Sequence, residues 1–175
     1  TGTNTTPLTL TGSVGTIIWQ QSTDSTNFSD IAAPGLSSYT ATDLTQNTFY
    51  RAKVASGVCD TLYSNSIKVT VSPATVSGTA SKDTTVCASS SNVTLTLNGH
   101  TGSIQWQVAS LLNGTYANIS GATSSTVSTG TLSATRYYRA RVVSGVCDTL
   151  YSNVVTVTVT PATVAGTLSG AATVC

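Results

Sequence analysis

Methionine and glutamate are absent from this chain, histidine occurs once, and only 7% of its 175 residues are charged. Seven Lys and Arg stand against six acids, all of them Asp, for a formal charge of +1. A balance so close to neutrality lacks the positive field that nucleic-acid binding requires. No apolar run approaches the ~18 residues of a membrane-spanning helix, so no membrane insertion is expected. Stretches rich in Ala, Leu, Glu or Lys are also missing, which removes the usual helix formers. His100 sits in a turn-like Asn98-Gly99-His100 and aligns with Ser13 of an earlier copy of the same pattern, so it is a poor candidate for proton transfer.

What remains is Ser and Thr, 60 residues together, with enough Val, Ile, Tyr and Trp to pack strands. The composition therefore predicts a soluble all-β chain. Four cysteines without metal-type spacing point to disulfides and an oxidising compartment. No signal peptide is visible, and the chain reads as a piece of a mature exported protein.

The chain repeats itself. Residues 49–73 (FYRAKVASGVCDTLYSNSIKVTVSP) and 137–161 (YYRARVVSGVCDTLYSNVVTVTVTP) share 18 of 25 positions at an offset of 88. Trp19 matches Trp106 at an offset of 87, and an insertion near Gly114 accounts for the change. Residues 74–87 (ATVSGTASKDTTVC) recur as 162–175 (ATVAGTLSGAATVC). A period of this length suits one small domain better than a solenoid turn. The expected layout is a repeat over 1–73 lacking its opening strand, a full repeat over 74–161, and the first strand of a following repeat over 162–175. The whole reads as two periods of a longer tandem array.

Within one period the strand signals alternate with period two. Val93, Leu95 and Leu97 share a face, as do Ile104, Trp106 and Val108, then Tyr138, Ala140 and Val142, and finally Val155, Val157 and Val159. Gln105, Gln107, Tyr137, Arg139 and Arg141 are expected outward, and Asn98-Gly99 and Gly102 are expected to turn the chain. Irregular stretches around Tyr116–Ile119 and Ser125–Leu132 leave room for further strands. About seven strands in under 90 residues is the arithmetic of a two-sheet sandwich. The core Trp19 and Trp106, followed by Tyr50-Arg51-Ala52 and Tyr138-Arg139-Ala140, point to tandem immunoglobulin-like domains without the usual inter-sheet disulfide, a fibronectin-III-like variant being the alternative.

Two cysteine pairings fit the repeat. Cys87 can bond Cys147 within one domain, leaving Cys59 and Cys175 to pair with neighbouring repeats outside the fragment. Alternatively Cys59–Cys87 and Cys147–Cys175 each bridge 28 residues between domains. The first is favoured, because the chain is expected to enter the domain at the end that carries the loop of Cys147. Closing that loop of about 60 residues would contribute roughly 4 kcal/mol in the chain-entropy model. Neither a reactive thiol nor a zinc site is indicated.

Thr85-Val86-Cys87, Leu95-Thr96-Leu97, Ile104–Gln107, Tyr137–Val142, Ser144–Cys147 and Tyr151–Val155 together resemble the tandem immunoglobulin-like repeats of very large cell-surface proteins of Bacteroidota. The resemblance implies an extracellular adhesin or surface filament exported by type IX secretion. It also implies O-glycosylation at Asp followed by Ser or Thr and a small apolar residue or Thr. Four of the six Asp fit that pattern and mark Ser25, Thr61, Thr84 and Thr149 as acceptors.

Chemistry is otherwise sparse. Asp24 and Asp30 could suggest paired carboxylates, but their counterparts are Leu111 and Asn118. No catalytic, cofactor-binding or metal-binding set is expected, and the chain is not expected to be an enzyme. Arg51, Lys53, Arg139 and Arg141 form a basic row beside Phe49 and Tyr137, read as a solvated face with cation–π contacts or as a surface for acidic glycans. Tyr63 and Tyr151 are expected either to pack on the disulfide or to be exposed for sugar stacking. The expected function is a stiff, disulfide-clipped spacer whose partners are neighbouring repeats, with lateral copies in a filament or surface glycans as further partners. The alternative is a carbohydrate- or protein-binding module, accessory to a secreted enzyme in one version.

Overall fold

Wherever Val, Tyr and Ile alternate with Thr, Ser or Arg the chain forms strand, since that spacing gives a pleated ribbon one apolar face. A computed structural model describes residues 5–31, 35–88 and 92–171, and these are all-β. The chain divides into two compact units, Thr1–Ser72 and Pro73–Cys175. No helix among the described residues is long and apolar enough to cross a membrane.

The first unit contains β1 (Thr5–Thr9), β2 (Thr16–Ser22), β3 (Ser29–Ile31), β4 (Ser38–Thr42), β5 (Thr48–Ala55), β6 (Leu62–Tyr63) and β7 (Ile67–Val69). β1 pairs with β4, and a second sheet runs β3-β2-β5-β6 with β7 also on β5. The second unit contains β8 (Val76–Ala80), β9 (Thr84–Cys87), β10 (Asn92–Thr101), β11 (Ser103–Ala109), β12 (Ala117–Asn118), β13 (Thr126–Thr131), β14 (Arg136–Val143), β15 (Leu150–Tyr151) and β16 (Val155–Thr160). One of its sheets runs β13-β10-β8; the other runs β12-β11-β14-β16-β9, with β15 on β14.

Both sheets of the second unit feed one core. Ala80, Leu95, Leu97 and Val127 come from the first sheet, and Ile104, Trp106, Tyr138, Ala140, Val142, Val155 and Val157 from the second. The alternation read from the sequence is thus realised, with Val93, Val108 and Val159 partly buried at its margins. Trp106 is fully buried, and its Nε1–H donates to the carbonyl of Ser124 at 3.0 Å. In the first unit Trp19 holds the matching place and donates to Leu36 at 3.1 Å. Leu8, Ile17, Ala41, Tyr50 and Ala52 complete its buried cluster.

Two expectations are corrected. Asn98-Gly99 does not turn the chain: β10 continues to Thr101 and pairs with β8, Asn98 opposite Thr79 and His100 opposite Ser77. The positive φ of Gly99 is absorbed within the ladder opposite Gly78, which also has a positive φ, and the turn falls at Gly102. Second, the opening segment of the unit forms two strands in different sheets. β8 lies on β10, and after Ser81–Asp83 the chain crosses over so that β9 runs parallel to β16. The Asp83 carboxylate accepts from the Thr156 amide at 2.7 Å and fixes that crossing.

The repeated Tyr-Ser-Asn has a structural role. Ser64 and Ser152 each accept from the amide of Ala52 or Ala140 at 2.9 Å, standing in for a missing ladder partner. The Asn153 side chain accepts from the Ala80 amide at 2.8 Å and donates to its carbonyl, so an amide side chain links β8 to the opposite sheet.

Candidate functional site

A strand presents alternate side chains to opposite faces, so burying Tyr138, Ala140 and Val142 puts Arg139 and Arg141 on the outer face of β14. The guanidinium of Arg139 lies against two rings there, 4.1 Å from the centroid of Tyr116 and 4.1 Å from that of Tyr151. Its Nε donates to Gln107 Oε1 at 2.9 Å, and Gln107 Nε2 donates to Asn118 Oδ1 at 2.9 Å. Gln107 is buried beneath this layer although its position in β11 is outward.

The first unit repeats the cluster position for position, with Phe28 where the second has Tyr116. Arg51 lies 4.0 Å from the Phe28 centroid and 4.3 Å from that of Tyr63, and its Nε donates to Gln20 Oε1 at 2.8 Å. Gln20 in turn donates to Asp30. Here the two clusters diverge. Asp30 stands where the second unit has Asn118, and its carboxylate forms an ion pair with Lys53 at 3.4 Å. The hydrogen bond from Gln20 and the charge of Lys53 hold its carboxyl below the usual carboxylate range. In the second cluster Asn118 is neutral, and Arg139 and Arg141 make no ion pair among the described residues. Burial pushes the Tyr116 phenol up, opposed by the adjacent Arg139.

These partners differ from those read in the sequence. Phe49 and Tyr137 do not stack on the arginines; Phe49 lies 5.8 Å from the Lys68 ammonium. Tyr63 and Tyr151 stack on guanidinium groups and remain about half exposed. Phe28, Tyr116, Gln20 and Gln107 were missed as members. The available signal was Phe28 and Tyr116 standing 88 residues apart, aromatic in both copies.

The expected Cys87–Cys147 bond does not fit the positions of the two residues. Cys87 lies level with Thr160 at the far end of β16, and Val157 lies opposite Arg136 of β14. Cys147 follows the other end of β14, in a turn closed by its amide on the Ser144 carbonyl at 2.9 Å. About ten residues of strand separate the two levels, on the order of 30 Å, whereas a disulfide needs Cα atoms within ~7 Å. The physical reason is the path of the opening segment. It passes Cys147 at its start, where Cys147 Sγ donates to the Pro73 carbonyl at 3.4 Å. It then runs the length of the unit before reaching Cys87. Cys59 occupies the corresponding turn of the first unit and is exposed. Cys175 lies outside the described residues.

The four hydroxyls marked for glycosylation sit in different settings. Thr61 is exposed and Thr149 half-buried, each in the turn after a cysteine. Ser25 is exposed at a left-handed φ of 67°. Its neighbour Asp24 closes a side-chain turn, accepting from the amides of Asn27 and Thr26 at 2.8 Å. These bonds, the Asn27 amide first, hold the Asp24 carboxyl far below the usual carboxylate range. Thr84 lies in β9, half-buried and paired with Val157. His100 borders an open depression of about 520 Å³ with Gly102, Ser103, Ile104, Thr123 and Ser125. Among the described residues no group of three His, Cys, Asp or Glu is placed to hold a metal ion.

These observations define an all-β chain of two units that carry the same outward Arg–aromatic cluster. The chain belongs to the family described as "Domain of unknown function (DUF8696)", whose profile matches residues 1–73 and again 76–161. No curated protein matches it.

Proposed function

We propose that the chain is a segment of a tandem array of immunoglobulin-like sandwiches on the outside of a cell, acting as a stiff spacer within an adhesin or surface filament. The observation that carries this reading is the duplication of a whole unit, from the buried Trp19 and Trp106 to the outward clusters of Arg51 and Arg139. In the second unit the E-B-A and C′-C-F-G order of an immunoglobulin-like sandwich corresponds to β13-β10-β8 and β12-β11-β14-β16, with β9 beside the last strand. Units that each bury their own core unfold independently, so load along a series of them is borne one domain at a time. Neighbouring repeats of the same chain are the partners. Export by type IX secretion and O-glycans on Thr61 and Thr149, with Ser25 and Thr84 secondary, accompany the proposal. An intact mass of the native protein equal to the bare sequence would remove the glycans.

Single-molecule pulling on the 175-residue chain tests the spacer role. Extending the strands of the second unit, Val76 to Thr160, releases roughly 30 nm of chain. Two discrete unfolding events are expected, the larger near that length. Continuous lengthening without discrete events would contradict a load-bearing role.

A second reading, a carbohydrate- or protein-binding module, is favoured by one observation. Tyr63 and Tyr151 stay exposed on corresponding outer faces of the two units.

A further inference from the structure

We infer that the outer face of β11, β12 and β14 in the second unit binds an anionic polysaccharide, one that carries carboxylate or sulfate groups. This goes beyond the spacer role and rests on the second, binding reading.

The Arg139 guanidinium is held before any ligand arrives. Two rings lie 4.1 Å from it, centroid to guanidinium carbon, and Gln107 holds its Nε. Its two Nη groups have no acceptor among the described residues. A planar fork of this kind matches a carboxylate or sulfate through two parallel hydrogen bonds. Because the side chain is already ordered, binding loses little rotamer freedom. Arg141 lies two residues along the same strand face, roughly 7 Å away. It makes no ion pair among the described residues. The rings of Tyr116 and Tyr151 border the fork and give sugar faces an apolar platform. A linear polyanion lying along β14 engages both cations, which a single small anion cannot do.

The first unit supplies an internal contrast. Its cluster carries its own anion, Asp30, which accepts from Gln20 and pairs with Lys53. The second has Asn118 in that place and keeps its charge for an external partner. The charge over whole units follows the same direction. The second has four Lys and Arg against two Asp, and the first three against four. Asp83 is engaged by the Thr156 amide, and neither Asp83 nor Asp148 pairs with an arginine among the described residues.

Titration calorimetry of the intact chain with polygalacturonate and with heparin, against neutral dextran, tests the inference. Binding to one or both polyanions is expected, weakening as salt rises, with none to dextran. Polygalacturonate alone would assign carboxylate as the recognised group, and heparin alone sulfate. Arg139→Gln with Arg141→Gln is expected to weaken binding about tenfold or more, the loss of charge-assisted hydrogen bonds. Asn118→Asp, nearly isosteric, is expected to weaken it while leaving the melting curve in place. It therefore reports even if the double variant fails to fold. Asp30→Asn in the first unit is expected to strengthen binding or add a second site. Equal affinity for dextran would overturn the anionic ligand while leaving the binding reading intact. No binding to any of the three would overturn both. Binding unmoved by Asn118→Asp and by Arg141→Gln would place the site elsewhere and overturn the assignment.

Discussion

Trp106→Ala is expected to remove about 3–5 kcal/mol from the second unit, the usual loss for an aromatic side chain deleted from a closed core. The side chain is fully buried in one cluster with Leu95, Leu97, Tyr138 and Val155, and its indole N–H satisfies the Ser124 carbonyl. For a domain of this size that corresponds to a fall in melting temperature of roughly 12 °C or more. The chain has two tryptophans, so the variant leaves Trp19 as the only indole emitter, reporting on the first unit alone. Its fluorescence transition is expected to stay where it was while the circular-dichroism melt loses the stability of the second unit. Trp19→Ala should cost less, because its described cluster has six buried residues against twelve and the indole is slightly exposed. A loss below about 1 kcal/mol for Trp106→Ala would mean that this core is not closed around the indole.

The second large effect concerns a glycine. Gly102 turns the chain from β10 into β11 at a φ of 125°, a region L-residues rarely adopt. A Cβ there would lie 2.6 Å from the Val143 carbonyl oxygen and 2.7 Å from its carbon, both backbone atoms of a paired strand. Gly102→Ala is expected to cost roughly 2–4 kcal/mol, combining backbone strain with displacement of β14. Gly15→Ala should behave alike, since Gly15 has a φ of 128° and meets the Ala55 carbonyl oxygen at 2.6 Å. Gly99→Ala is the control, with a left-handed φ and nothing within 4 Å. It should cost only about 1–2 kcal/mol, the intrinsic penalty of that conformation. Urea denaturation of the three variants checks the order. Equal losses at Gly99 and Gly102 would show that the close approach to Val143 carries no weight.

Much of the core was readable residue by residue. Period-two alternation named Leu95, Ile104, Trp106, Tyr138, Ala140 and Val155, and all are buried. It succeeded because a strand's side-chain direction is fixed by local geometry alone. The turn expected at Asn98-Gly99 failed because pairing with β8 holds the strand through Gly99, which outweighs local turn chemistry. In the outward cluster, Arg51 and Arg139 were legible as exposed cations on alternating strands. The rings stacked on them were not, because Phe28 and Tyr116 arrive from irregular segments before β3 and β12.

The cysteines separate most clearly what each level decided. The amino-acid order by itself determined that the chain is all-β, that its unit recurs after 88 residues, and which side chains face inward, since each of these depends on composition, self-similarity or a two-residue period. Only the tertiary structure decided at which end of its unit Cys59, Cys87 and Cys147 lie and which neighbours surround Arg51 and Arg139. Those are distances between segments far apart in sequence. They are set by the crossing of the opening segment from β10 to β16, a path that no local pattern in the chain encodes.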